Sequence, residues 1–354
     1  MKIGILTFHN ADNYGAVLQA YALQQKLNSL GFENEFVEID TGNSSDKNET
    51  GNTENAVTGA AAIFARKVKA ENEKRNGLFK EFRDKYFNVS ETYHQNNMNS
   101  IGKEYDALIA GSDQVWNFSL PDFDLRYLLP FEGKVKKYSY AASFGNEPDE
   151  KLMKQAMTYL NRFDGISVRE KSGKELIEKY SDKKALVLPD PTLLLDRKDW
   201  DKLADAAPTE KGRYVLLFLL KNDDKLAEQA KDEADRSGVA LKVVCAGYIP
   251  KYGFDSWSGN GVEKWISLIK NADSVFTNSF HGTVFSLIYG KKFRTAPLGG
   301  NLSERNGRLD ELLSRVGLRE TFDGKTVSIN EETLADKLRS SYEEAEEFLR
   351  KISE

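Results

Sequence analysis

The chain is short of the residues that build several common kinds of site. Its 354 residues include one cysteine, Cys245, and three histidines, His9, His94 and His281. One thiol cannot form an intramolecular disulfide, and no CxxC pair is present. A histidine-rich zinc site is not expected from so few imidazoles. No positive excess exists either: 50 Lys and Arg stand against 55 Asp and Glu. That balance argues against a chain whose main partner is nucleic acid. The longest apolar run, Val215 to Leu220, falls far below the ~20 residues that span a bilayer. The apolar start Met1 to Phe8 is too short for a secretory leader. These absences predict a soluble, cytoplasmic protein. No Walker-type GxxxxGK[ST] occurs, and the first loop is not GxGxxG, so a standard nucleotide fingerprint is missing.

What is present is an alternation of short apolar strands and amphipathic helices. Met1 to Phe8 reads as a buried strand, Gly15 to Leu30 as a helix and Phe32 to Ile39 as a second strand. Gly31 lies where a helix end favours left-handed backbone. A strand–helix–strand order implies a parallel pair with a right-handed crossover. Strands follow at Tyr105–Ala110, Lys137–Ala142, Gly165–Val168 and Ala185–Leu188. A second series starts near Lys198, with strands at Tyr214–Leu220, Val239–Ala246, Ser274–Thr277 and Lys292–Ala296. Helices are expected at Asp223–Ser237, Val262–Asn271, Thr283–Tyr289, Glu304–Val316 and Glu331–Ile352. Two such blocks predict two Rossmann-like α/β domains with parallel sheets, residues 1–195 and 196–354, facing an interdomain cleft. The stretch 41–58 is almost without apolar residues and reads as a solvated linker. Residues 60–86 read as a helix interrupted near Gly77. Arg66 to Lys85 within it holds eight basic residues against four acids. With Ile63, Phe64, Val68, Phe79 and Phe82 as apolar neighbours, this stretch suggests peripheral contact with an anionic membrane face, against a plain solvated face packed on the domain as the simpler reading.

Ligands of open α/β sheets bind at the carboxyl ends of strands, and the polar clusters fall there. They are Asn13-Tyr14-Gly15, Gly111-Ser112-Asp113, Ser143, Arg169, Asp190 and Ser279-Phe280-His281-Gly282. His281 precedes a helix, where unmet N–H groups and the helix dipole attract an anion. Arg169 stands at another strand-to-helix junction, and its fork suits carboxylate or phosphate. Asp122-Phe123-Asp124 matches a two-acid metal pattern but is short and common. Gly247 to Trp257 gathers aromatics that could stack on a sugar ring.

Together the blocks resemble the polysaccharide pyruvyl transferase family. They are Asn13 to Leu23 (NYGAVLQAYAL), Gly111 to Asn117 (GSDQVWN), Ser139 to Gly145 (SYAASFG), Val168-Arg169-Glu170, Asp190-Pro191-Thr192 and Ser279 to Gly282 (SFHG), in the family's order between Ile3 and about Leu318. The resemblance implies a fold like that of the GT-B glycosyltransferases, with an acceptor-side first domain and a donor-side second one. It implies transfer of the pyruvyl group of phosphoenolpyruvate onto two hydroxyls of a sugar, as a cyclic ketal, with release of phosphate. The sugar would belong to a surface polysaccharide or its lipid-linked precursor. No cofactor is implied, and no step demands a metal. The family's donor-binding arginine and histidine carry over to Arg169 and His281, with Phe280 and Gly282 in the same turn. Many members place an arginine two residues before the histidine. This chain has Ser279 there, and Arg308 is the candidate replacement. Asn13, Tyr14, Gly15, Ser112, Asp113, Gln114, Trp116 and Ser143 fall on the acceptor side, and Asp113 or Asp190 could accept a hydroxyl proton. A glycosyltransferase using a nucleotide sugar, or a homologue that binds sugar or anion without turnover, shares the same architecture.

Overall fold

The computed structural model describes residues 1–40, 60–121, 123–246, 260–299 and 306–354, with only the backbone at 60–65 and 67–68. The linker 41–58, the aromatic stretch Gly247 to Trp257 and Asp122 lie outside the described residues.

Two parallel sheets form the frame. The first has six strands, β1 Lys2–Leu6, β2 Glu33–Phe36, β3 Ala107–Ala110, β4 Lys136–Ala142, β5 Gly165–Val168 and β6 Ala185–Val187, in the order β2-β1-β3-β4-β5-β6. The second has four strands, β7 Tyr214–Leu219, β8 Ala240–Cys245, β9 Ser274–Thr277 and β10 Lys292–Thr295, in the order β10-β9-β7-β8. Every ladder within them is parallel. The helices are α1 Tyr14–Ser29, α2 Ala60–Tyr86, α3 Ile101–Glu104, α4 Glu150–Leu160, α5 Lys171–Tyr180, α6 Arg197–Ala204, α7 Asp224–Ser237, α8 Val262–Asn271, α9 Phe280–Ile288, α10 Asn306–Val316 and α11 Glu331–Arg350. Central strands such as Ala107–Ala110 and Tyr214–Leu219 are buried throughout, as parallel strands covered on both faces must be. The arrangement is α/β and GT-B-like, with the carboxyl ends of both sheets turned to one cleft.

Three helices escaped the sequence reading, the one-turn α3 among them. Helix α4 carries Met153, Ala156, Met157 and Leu160 inward at helical spacing, and α6 buries Trp200 and Leu203. Helix α2 runs unbroken through Gly77 instead of stopping there. A glycine mid-helix costs about 1 kcal/mol, and the burial of Phe79 and Phe82 beyond it outweighs that. Those two phenylalanines pack with Tyr14, Tyr21, Tyr86 and Phe87. Arg83 pairs with Asp12 at 2.7 Å, and Arg75 donates to the Asp12 carbonyl. Of the apolar positions expected to meet lipid, Phe79 and Phe82 are thus part of the protein's own core, while the side chains of Ile63, Phe64 and Val68 lie outside the described residues.

The seam between the sheets is aromatic. Tyr14 stacks on Trp265 of α8 with ring centroids 5.1 Å apart, and Phe218 of β7 and Phe285 of α9 meet Trp265 edge-on. The Tyr14 hydroxyl donates to the Asn260 carbonyl at 2.7 Å. Helix α11 ties both sheets: Leu334 and Leu338 join the core around the second sheet, while Ala345, Phe348, Leu349 and Ile352, just beyond its end, join that around the first.

Candidate active site

Strand ends deliver the polar residues. Helix α9 begins at Phe280, three positions earlier than the apolar pattern suggests, so His281 sits in its first turn. Ser279 is the N-cap, its hydroxyl accepting from the Gly282 N–H at 3.2 Å. Gly282 has no room for a side chain, since a Cβ there would lie 2.5 Å from Thr277 Oγ1. Across the cleft, Arg169 follows β5.

Asp190 joins the two sides. Its Oδ2 lies 2.7 Å from Arg169 Nη2 and 3.6 Å from His281 Nε2. Its Oδ1 accepts from the Thr192 N–H at 3.0 Å and the Thr192 hydroxyl at 2.6 Å. Burial alone would raise the Asp190 carboxyl, but the Arg169 guanidinium and His281 hold it well below the usual carboxylate range. With its side chain fully buried, Asp190 orients Arg169 and His281 and does not itself face the cleft.

Arg169 also donates from Nη2 to Ser112 Oγ at 2.6 Å, and Nη1 stands 3.8 Å from Asp113 Oδ1. Its side chain is 2% exposed, yet Nε and Nη1 have no hydrogen-bond partner. Unmet buried donors of this kind cost about 1–3 kcal/mol each. Arg308, from the start of α10, brings Nη1 to 3.7 Å from the same Asp113 oxygen. The Phe280 ring lies under both cations, 5.3 Å from Arg169 Cζ and 5.8 Å from Arg308 Cζ, distances suited to cation–π attraction. Asp113 holds a left-handed backbone with φ 75°, and such strain concentrates where surrounding structure imposes a function.

Asn13, Asp113, Gln114, Ser279, Phe280, His281 and Arg308 line a cavity of about 130 Å³. Asn13 is the N-cap of α1, accepting from the Ala16 N–H. Gly15 abuts His281 so closely that a Cβ would fall 2.0 Å from Nδ1. Ser112 and Ser143 are fully buried and act behind the cavity wall, Ser112 on Arg169 and Ser143 on Glu170. Tyr14 and Trp116 are in the core and do not line the cavity. Tyr14 belongs to the aromatic seam, and Trp116 donates to the Tyr127 carbonyl and packs on Phe144 and Phe163. Of the two-acid pattern, Asp124 caps the turn after it and pairs with Arg126 at 2.8 Å. Glu170 and Glu311 are charged neighbours that the sequence did not mark as site residues. Glu311 accepts from the Lys171 N–H at 3.0 Å, so α10 caps α5 across the cleft.

A sequence model of the polysaccharide pyruvyl transferases matches residues 13–295. The chain belongs to that family, and its class is accordingly that of transferases of polysaccharide biosynthesis. No curated protein sequence matches it. Solved structures resemble it distantly. UDP-GlcNAc 2-epimerase from Methanocaldococcus jannaschii is 12% identical with a TM-score of 0.48, covering 97% of this chain and 93% of that one. The Neisseria meningitidis enzyme of the same name, bound to UDP-GlcNAc, is 10% identical with a TM-score of 0.48, covering 99% and 100%. An alpha-glucosyltransferase in complex with UDP and DNA is 9% identical with a TM-score of 0.47, covering 99% of each chain. Likenesses this remote say nothing about what this chain binds. No helix among the described residues is long and apolar enough to cross a membrane.

Proposed function

We propose that the protein moves the pyruvyl group of phosphoenolpyruvate onto two hydroxyls of a sugar, forming a cyclic ketal and releasing phosphate. The observation that carries this reading is the buried Arg169, whose Nε and Nη1 lack hydrogen-bond partners beside His281 and Arg308. Arg308 and the first turn of α9 line the cavity, Arg169 shares the Phe280 ring with Arg308, and such a set of cations at a helix N-terminus suits a small molecule with both a carboxylate and a phosphate. Family membership supplies the reaction class.

In this reading Arg169 and Arg308 hold the donor's anionic groups, Phe280 supports both cations, and His281 supplies the proton that converts the donor's methylene to a methyl group. Asp190 keeps Arg169 and His281 aimed. The acceptor is a sugar of a surface polysaccharide or its lipid-linked precursor, and the work is done on the cytoplasmic side of the membrane.

The test is calorimetric titration of phosphoenolpyruvate, with a nucleotide sugar as the rival donor, followed by phosphate-release assays with sugar acceptors. Phosphoenolpyruvate should bind and the nucleotide sugar should not. Arg169→Ala should weaken donor binding by ~1.5–3 kcal/mol, the size of a charge-assisted contact, with poor rescue by lysine. His281→Ala should lower turnover by ~10²–10⁴-fold, as loss of a proton donor does. Wild-type binding and turnover in both variants would remove the cleft assignment.

A further inference from the structure

Glu170 occupies the N-cap position of α5, yet its side chain makes no capping hydrogen bond. The first N–H of the helix, that of Lys171, goes to Glu311 from the opposite side of the cleft. The Glu170 carboxyl turns instead to Ser143, whose hydroxyl donates to Oε1 at 2.7 Å. The same Ser143 oxygen accepts from the Gly145 N–H at 3.0 Å. The other oxygen, Oε2, is buried and has no hydrogen-bond partner. Glu170 is 7% exposed and lines a cavity of about 590 Å³ together with Asn146, Glu147, Ser172 and Lys179. The cavity's mixed lining, with Phe144 and Leu176 beside the polar side chains, suits a sugar, and Glu170 directly follows Arg169 in the chain, with Arg169 and Arg308 near enough to act on its charge.

We propose that Glu170 takes the proton of the first sugar hydroxyl as its oxygen bonds to C2 of the donor, with the acceptor sugar seated in the cavity that Glu170 lines. The assignment rests on the pyruvyl-transfer reading. The step balances as follows. The hydroxyl oxygen forms a bond to C2, its proton passes to Glu170 Oε2, and His281 gives a proton to C3 as the C2–C3 double bond becomes single. The second hydroxyl then displaces phosphate from C2 and returns a proton to His281. The departing phosphate carries off the proton held by Glu170. Two hydroxyl protons are consumed, one ending on the new methyl group and one on phosphate, and nothing is oxidised or reduced.

The surroundings strengthen Glu170 as a base. Burial raises the Glu170 carboxyl above the usual range, against the lowering pull of Arg308, the Ser143 hydroxyl and Arg169. Glu311 on α10 adds to the rise. Glu147 after β4 and Glu175 and Lys179 on α5 complete the charged lining. A carboxylate whose affinity for protons is raised in this way is a stronger general base.

The experiment pairs Glu170→Gln with Glu170→Asp. Glutamine keeps an oxygen for the Ser143 hydroxyl and cannot take the proton. Phosphate release is measured against pH with phosphoenolpyruvate and methyl galactoside, methyl mannoside or methyl glucoside, alongside donor titrations. Glu170→Gln should keep donor affinity within about threefold and lose ~10²-fold or more in turnover. It should also lose the acid limb of the wild-type profile, where a protonated Glu170 cannot act. Glu170→Asp should recover part of the rate and retain that limb. Infrared difference spectra between acid and neutral pH give a readout without any acceptor. A carboxyl band present in wild type and absent in Glu170→Gln is expected above the usual titration range. Wild-type turnover with an unchanged acid limb in Glu170→Gln overturns the proposal, as does phosphate release with none of the three glycosides. Failure of wild-type protein to bind phosphoenolpyruvate would strike the donor reading, and the infrared band would still judge Glu170.

Discussion

The aromatic seam and the charged cleft both join the two sheets, and they differ in what they bury: rings in the seam, where Trp265 Nε1 is a buried donor without a hydrogen-bond partner, and charged groups in the cleft. In the seam the Tyr14 hydroxyl finds the Asn260 carbonyl, and the Tyr214 hydroxyl finds the Leu268 carbonyl at 2.9 Å. The rings of Trp265, Phe285 and Trp200 close over them. In the cleft, Arg169 Nε and Nη1, Glu170 Oε2 and His281 Nε2 are buried without hydrogen-bond partners. Stability is gained where apolar area is hidden and polar groups are met. What sets the cleft apart is that its unmet atoms lie on three charged or ionisable side chains gathered at strand ends, where an anionic or hydroxyl ligand would meet them. The two regions meet in one dipeptide. Tyr14 enters the seam, and Gly15, the next residue, touches His281.

If the seam carries stability and the cleft carries chemistry, Trp265→Ala should show the largest stability loss, ~3–5 kcal/mol, the range for emptying a buried tryptophan. Chemical denaturation measures it, and donor affinity of the folded fraction should stay near wild type. A small loss would mean that the seam can collapse around the cavity.

The acid side of the pH–stability curve sharpens the comparison. Because the folded state holds the Asp190 carboxyl below its ordinary value, Asp190 contributes stability that is present above the unfolded pKa of about 3.9 and is lost as pH falls below it. Asp190→Asn should flatten that slope and cost ~3 kcal/mol at neutral pH, because Arg169 would be left buried without its carboxylate. Unfolding curves collected from neutral to acid pH decide it. An unchanged acid slope would show that Asp190 is not the carboxylate responsible.

Gly15→Ala separates the two roles within α1. Alanine favours helix over glycine by ~1 kcal/mol, so stability should hardly fall. The new Cβ would nevertheless force the His281 ring aside, and a displacement near 1 Å can cost ~10²-fold in turnover. Phosphate release beside a thermal melt checks both halves. Loss of stability with normal turnover would reverse the assignment.

The smallest effect is expected at Asp113. Its φ of 75° is one that glycine adopts without strain. Asp113→Gly should therefore be neutral or stabilising by up to about 1 kcal/mol in a thermal melt, the pattern of a strained functional position. A clear drop would mean that the carboxylate's contacts to Arg169 and Arg308 outweigh the backbone strain.

Much of this organisation is written in local pattern. Period and punctuation mark nearly all the strands, the two α/β blocks and the strand ends where ligands bind. Boundaries slipped where packing overrides propensity. Gly77 does not stop α2 because Phe79 and Phe82 are buried beyond it, and α9 starts early because Ser279 caps it. Helices α3, α4 and α6 are less legible because they are short, at four, eleven and eight residues, with few inward positions to set a period, and five of the eight residues of α6 are charged.

By itself the sequence determined the residue types and their order: a parallel α/β frame, an arginine after β5, a histidine after β9, an aspartate after β6. These follow from periodicities of two and 3.6 residues and from what strand ends must be, which are local properties of the chain. Only the tertiary structure decided the pairings. It brought Arg169 and His281 to one oxygen of Asp190, set Arg308 and Arg169 over Phe280, and sent Tyr14 inward while Gly15 faced His281. It also set Glu311 on the Lys171 N–H and Glu170 on Ser143. Contacts such as Gly15 with His281 and Lys171 with Glu311 join residues more than a hundred positions apart and depend on how two sheets dock, and no local pattern encodes that geometry.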